Sequence, residues 1–229
     1  MRRLFNRICY YAGTKALDGA LQMAIDECLL KSSDQVLIRD YQWSEPSVSI
    51  GHFGISSEAL TICHHEVSRP LVRRPTGGGL VEHGHGLDYT YSIVIPAAVT
   101  QELELSPKAS YRAIHGALAV ALQQSGVAAE QAAQAPPGTG GQACFTNPVG
   151  DDLMLGQQKI AGAGQKRSRG AILHQGSVQP LELPPRFGQI FASQLGMEVI
   201  DAELSASTLE AASQLAEEKY RDPAWTLRR

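Results

Sequence analysis

Two short stretches hold the residues best suited by type to do chemistry. Arg73-Arg74-Pro75-Thr76-Gly77-Gly78-Gly79-Leu80-Val81-Glu82-His83 sets two guanidinium groups before a run of three glycines and an imidazole after it. Without Cβ atoms the backbone there can approach a ligand closely and adopt positive φ. Its N–H groups can turn toward an oxyanion or phosphate. Gly156-Gln157-Gln158-Lys159-Ile160-Ala161-Gly162-Ala163-Gly164-Gln165 sets one ammonium before a segment of small residues. A lysine is ordinarily solvated; held in a partly apolar pocket it polarises a carbonyl or stabilises a developing oxyanion. The third candidate is Cys144, in the loop segment Gln142-Ala143-Cys144-Phe145. It is either an incidental free thiol or a nucleophile that takes up an acyl group as a thioester. In the second case attacking and leaving sulfurs are alike, so the acyl group's energy is conserved without ATP. The reading is one pocket for an acyl chain and its carbonyl head. Cys144 and Lys159 are its catalytic candidates. Arg73, Arg74, Gly77, Gly78, Gly79, His83, Gly162, Ala163, Gly164 and His174 are its substrate-binding candidates.

Other motifs carry less. Neither GxGxxG nor GxxxxGK[ST] occurs in the glycine run, so it is no nucleotide fingerprint. Neighbouring strand residues face opposite ways, so one of Arg73 and Arg74 reaches the pocket and the other is expected in a structural ion pair. His83 and His85 would share a strand face, but no acidic third ligand is in view and no metal is expected. Cys63-His64-His65 has no partner pair at zinc-finger spacing, which leaves it packing or surface roles. His174, in Leu173-His174-Gln175-Gly176, orients a ligand or fills a polar core position.

The elements that must position these groups follow from pattern. Leu4 to Tyr11 reads as an edge strand, and Leu17, Leu21, Ala24, Ile25, Cys28 and Leu29 mark a helix over about 17–31. Strands are expected over 35–41 and 47–50, with a loop at 51–54, and a strand, a glycine loop and a second strand from Leu80. Another strand spans 87–95. Ser106-Pro107 is an N-cap with proline in the first turn, opening a helix that Gly126 stops. Residues 132–141, rich in Ala, Pro and Gly, read as a mobile loop. Residues 152–155 and 158–161 read as a hairpin turned at Gly156-Gln157. A strand over 171–178 and helices over 185–195 and 207–220 follow, with Pro223 ending the last. Strands with few crossover helices predict an α+β fold: a mixed, mainly antiparallel sheet covered by helices.

Composition bounds the function. At 229 residues the chain is expected to be one domain, 1–229. Hydrophobic residues make up 43% and charged residues 19%, which supports a sizeable core. A formal net charge of -3 argues against a nucleic-acid protein. No apolar run reaches membrane-spanning length, and no signal-peptide pattern follows Met1. Four cysteines without a CxxC pair suit free thiols in a reducing cytoplasm.

The stretch from Arg73 to His83 resembles the RRxxGGGxVxH motif of the lipoate–protein ligase A and octanoyltransferase family. Lys159 to Gln165 resembles that family's lysine segment, and Leu173-His174-Gln175-Gly176-Ser177 its LxxGS strand. Met23-Ala24-Ile25-Asp26-Glu27, Tyr41-Gln42-Trp43, Ser49-Ile50-Gly51, Lys219-Tyr220 and Trp225-Thr226 extend the likeness from about Leu17 to Trp225. The resemblance implies the fold of biotin and lipoate protein ligases, related to class II tRNA synthetases. It also implies protein lipoylation. Cys144 stands where cysteine-dependent octanoyltransferases carry their nucleophile, and the chain stops without the accessory domain of many ligases. Gly79 is ligase-like, since those transferases often have arginine there. Gly84 replaces an aspartate that commonly follows the motif histidine. The implied reaction moves octanoate, or lipoate, from acyl carrier protein to a lysine of a lipoyl-domain protein, by a monomer, with no cofactor. The alternatives are a lipoate ligase using ATP and Mg²⁺, and an acyl-binding protein without catalysis. Biotin ligation lacks its arginine-glycine loop.

Overall fold

Successive residues of the central strands bury on opposite faces. Ile8, Ile38, Ile93 and Ile172 belong to one core cluster, and their neighbours Cys9, Leu37, Val94 and Leu173 to another. Strands apolar on both faces must be covered on both. The computed structural model describes residues 3–13, 15–55, 57, 59–60, 69–132, 149–179 and 182–228. Its strands are β1 (Phe5–Tyr11), β2 (Leu37–Tyr41), β3 (Ser47–Ile50), β4 (Leu71–Arg73), β5 (Val81–His83) and β6 (Tyr89–Ile95). They continue with β7 (Glu130–Gln131), β8 (Leu153–Leu155), β9 (Gln158–Ser168), β10 (Ala171–Val178) and β11 (Gly196–Asp201). The helices are α1 (Gly19–Ser32), α2 (Ala97–Glu102), α3 (Pro107–Gln124), α4 (Phe187–Leu195), α5 (Ala206–Leu215) and α6 (Pro223–Thr226). A π-helical turn, Ala216–Tyr220, prolongs α5.

The large sheet runs β11-β1-β2-β6-β10-β9-β8-β7. Its pairs are antiparallel except β11–β1 and β1–β2, which are parallel. Residues of α3 and α4, including Ile114, Leu118, Phe187 and Phe191, fill one face. Met23, Ile25 and Leu29 of α1 and Ala212 of α5 fill the other. The second sheet, β4-β3-β5, closes over Val48, Ile50, Ala59 and Leu80. This is the expected mixed, mainly antiparallel sheet between helices.

Local signals hold where local chemistry decides. Ser106 caps α3 by accepting from Ala109 N, with Pro107 at the first position. Gly156, at φ 59°, turns the β8–β9 hairpin. Three expectations fail. β1 is an inner strand, because β11 arrives from the far end of the chain to pair with it. Pro223 opens α6 beneath the Asp222 cap and does not end a helix. His85 shares no strand face with His83: β5 stops at His83 and His85 is exposed in the following turn.

Arg73 also departs from expectation, which gave it or its neighbour an acidic partner. It is fully buried and donates to six backbone carbonyls, those of Gly51, His52, Gly54, Trp225, Thr226 and Arg228, at 2.7–3.1 Å. A planar guanidinium offers five N–H donors. Here they meet loop carbonyls that no strand satisfies, and the charge is spread over dipoles. Arg73→Met orphans those oxygens and is expected to cost at least about 3 kcal/mol of stability. Urea unfolding measures this, and an unchanged midpoint would contradict the assignment.

Candidate active site

The glycine loop is seated by backbone contact. A Cβ on Gly164 would lie 2.2 Å from the Gly77 carbonyl oxygen, and one on Gly51 would lie 2.0 Å from that of Gly78. The loop is thus clamped between Gly51, which follows β3, and Gly164 of β9, and Gly78 takes φ 96°. Beside the clamp runs a narrow, nearly closed cleft with about 20 Å³ of free space. Met23, Trp43, Val81 and the backbone of Gly78, Gly162, Ala163, Gly164 and Gly176 line it, with Arg74, His83 and Gln175 among its polar groups. Its walls are apolar side chains and bare backbone, and a linear chain would enter by parting them.

The two arginines divide as neighbouring strand positions must. Arg73 faces the carbonyl cage. Arg74 faces the cleft, donating through Nη1 to Ser49 Oγ at 2.6 Å and through Nη2 to the carbonyls of Gly79 and Gly77 at 2.8 and 3.3 Å. The guanidinium therefore staples the glycine loop from inside.

Lys159 lies outside the cleft lining, against Gly162 of its wall. Its Nζ lies 2.8 Å from Asp152 Oδ2, with both side chains buried. A Cβ on Gly162 would come within 2.7 Å of Nζ. The small residue at 162 is what leaves room for the ammonium beside the wall. The carboxylate is held in turn: Tyr111 Oη donates to Oδ1 at 2.5 Å and Val149 N to Oδ2 at 2.7 Å. Burial first, and Asp152 second, push the Tyr111 phenol far up, so it stays a proton donor. Tyr111 Oη also accepts from Ala163 N, tying α3 to the cleft wall. Cys144 lies outside the described residues, as does Cys63-His64-His65. The ends flanking 133–148 are described. Ala132 exchanges hydrogen bonds with Asp151 and Asp152 at 2.8–3.0 Å, and Val149 is held by the Asp152 carboxylate.

His174 is fully buried away from the cleft lining, against Tyr91, Tyr111 and His115. Gln165 Nε2 is 3.1 Å from its Nδ1 and Tyr91 Oη 3.3 Å from its Nε2. Of the sequence-predicted binding residues, Arg73 and His174 stand behind the cleft; Arg74, Gly78, His83, Gly162, Ala163 and Gly164 line it. Sequence reasoning missed the floor. Asp26 accepts from Arg39, Ser92 and Gln175, each at 2.7 Å, and Thr76 donates to Gln175 Oε1. The signal was a carboxylate within the apolar run Met23-Ala24-Ile25-Asp26, a position that requires buried donors.

The histidines behind the cleft make stability depend on pH. Burial holds His115 down to about 4 and His174 well below its ordinary value. Both bind protons more readily unfolded, so their contribution is complete above about pH 6.5 and is lost as pH falls toward 4. For His115 the drop from 6.5 to about 4 corresponds to up to about 3 kcal/mol. Urea unfolding across that window is expected to show the loss, and His115→Asn to flatten it.

The chain matches the lipoyl protein ligase A/B catalytic domain over residues 18–179 and belongs to that family. Among its relatives is an octanoyltransferase LipM of Brevibacillus brevis, 27% identical over 96% of this chain and 98% of that protein. The LipM of Oceanobacillus iheyensis is 33% identical over 72% of this chain and 61% of its own length. The fold is that of a structure titled lipoate-protein ligase A bound with ATP (TM-score 0.74, 20% identity, 97% of this chain and 98% of that one). A Thermoplasma acidophilum bipartite lipoate protein ligase also shares it (TM-score 0.58, 20% identity, 99% of this chain and 98% of that one).

Proposed function

We propose that this chain is a protein octanoyltransferase, an acyltransferase of protein lipoylation working through a Cys144 thioester. The observation that carries the reading is that the described residues on either side of 133–148 meet at the carboxylate that binds Lys159. Ala132 and Val149 both fasten to Asp151-Asp152, and the Asp152 carboxylate also binds Lys159. Five residues of chain span at most roughly 18 Å, a reach that would allow the Cys144 sulfur to meet Nζ. The octanoyltransferase relatives support the same reading.

The reaction has two balanced steps. The Cys144 thiolate attacks the carbonyl of octanoyl-acyl carrier protein. A new C–S bond forms, the bond to the carrier sulfur breaks, and the carrier thiolate leaves and takes up a proton. The amine of a lipoyl-domain lysine then attacks the Cys144 thioester. The amide forms, the amine's proton is lost, and the Cys144 thiolate leaves. Lys159 and backbone N–H groups near Gly162 stabilise the oxyanion in both steps. The slot beside Gly77–Gly79 takes the chain, each buried CH₂ contributing about 0.8 kcal/mol. Neither step consumes ATP or a metal ion. Among the described residues no cluster could hold a metal, and no helix is long and apolar enough to cross a membrane. A reducing cytoplasm, which keeps thiols free, is the setting we infer.

Octanoyl-acyl carrier protein is expected to leave one octanoyl group on the protein, detected by intact mass, and Cys144→Ser to abolish it. An adduct that persists in Cys144→Ser would sink the residue assignment. Lys159→Met is expected to slow transfer about 100-fold, the scale of one lost oxyanion donor. Transfer to a lipoyl domain from octanoate plus ATP, but not from the carrier thioester, would make the chain a ligase instead.

A further inference from the structure

A directional chain of hydrogen bonds enters the cleft wall from its buried side. Asp88 Oδ2 is 2.7 Å from His83 Nδ1, His83 Nε2 is 2.6 Å from Ser49 Oγ, and Arg74 Nη1 is 2.6 Å from the same Oγ. All four side chains are buried. Asp88 also accepts from Thr90 Oγ1, Ser177 Oγ and Gly84 N. Three donors besides His83 thus converge on the Asp88 carboxyl, which serves as the acceptor throughout.

An ionised carboxylate only accepts, so Nδ1 must carry the hydrogen. In the neutral ring Nε2 is then an acceptor, and the Ser49 hydroxyl must donate to it. That leaves the Ser49 lone pairs facing Arg74. Every polar atom in the row has one role, and the row ends at the guanidinium that staples Gly77 and Gly79. The His83 ring also stacks on Trp43 across the cleft wall, with centroids 4.1 Å apart at 12°. A serine, histidine and aspartate in this order invite a nucleophile, but Ser49 is fully buried, is not part of the cleft lining, and its oxygen is engaged by Arg74.

We propose that Asp88, His83 and Ser49 are positioning residues that lock Arg74, and through it the glycine loop around Gly78, so that the slot keeps one width and discriminates acyl groups by their cross-section. This rests on the cleft being the acyl slot. Two measurements test it. Nitrogen-15 NMR of the imidazoles at about pH 8 is expected to show His83 protonated at Nδ1, and an Nε2–H ring would overturn the relay. Calorimetric titration with octanoate and with lipoate, whose terminal ring is wider than a straight chain, reads the width. Ser49→Ala and Asp88→Asn are expected to raise lipoate affinity relative to octanoate at least about threefold, while Ser49→Thr, which keeps the hydroxyl, stays close to wild type. General destabilisation lowers both affinities together and leaves the ratio alone. An unchanged ratio in Ser49→Ala overturns the relay and leaves the acyl reading standing. Wild-type protein that binds neither acid overturns the acyl reading and this assignment with it.

Discussion

An ammonium and a carboxylate meet at 2.8 Å where water does not reach, and three parts of the chain converge on the contact. Lys159 brings β9, Tyr111 brings α3, and Val149 brings the end of the segment that carries Cys144. Desolvating two charges is costly, and the pair is sustained because each carboxylate oxygen also meets a hydrogen-bond donor, Oδ1 that of Tyr111 and Oδ2 that of Val149. Removing either partner would strand the other charge, at a cost of about 3–5 kcal/mol. The pair is therefore a joint as well as a charge in the site. It fixes the ammonium against Gly162 of the cleft wall, and Gly162 is small so that it can lie there.

The motif of two arginines and three glycines serves this arrangement by division. One guanidinium gathers backbone carbonyls of residues 51–54 and 225–228 and so holds the small sheet to the carboxy-terminal segment. The other faces inward and grips the glycine loop. The glycines allow backbone to lie on backbone at Gly51 and Gly164, contacts that a methyl group would forbid. Their value is close approach, as the sequence suggested, though the partner at Gly77 and Gly78 is the protein's own backbone as much as any ligand.

What the sequence disclosed was what local chemistry decides. The Ser106-Pro107 cap and the Gly156 turn needed no partner to be read. The family motif named the cleft-lining glycines, Arg74 and Lys159. Residues whose role depends on distant partners were hidden. β1 reads as an edge because β11 lies almost two hundred residues away. Ser49, Asp88 and Asp26 are ordinary polar residues until the fold brings Arg74, His83 and Gln175 to them. His174 belongs to a recognisable strand motif, yet only packing shows that it faces a buried aromatic cluster.

The central claim, that sulfur and ammonium share one acyl carbonyl, is tested most directly by the order of events in a single turnover. Labelled octanoyl-acyl carrier protein, mixed with the enzyme and a lipoyl domain and quenched at successive times, should show label on Cys144 first. That label should then decay at the rate at which the lipoyl-domain amide appears. Amide that forms before any label on Cys144, or an adduct that outlives product formation, would contradict the account.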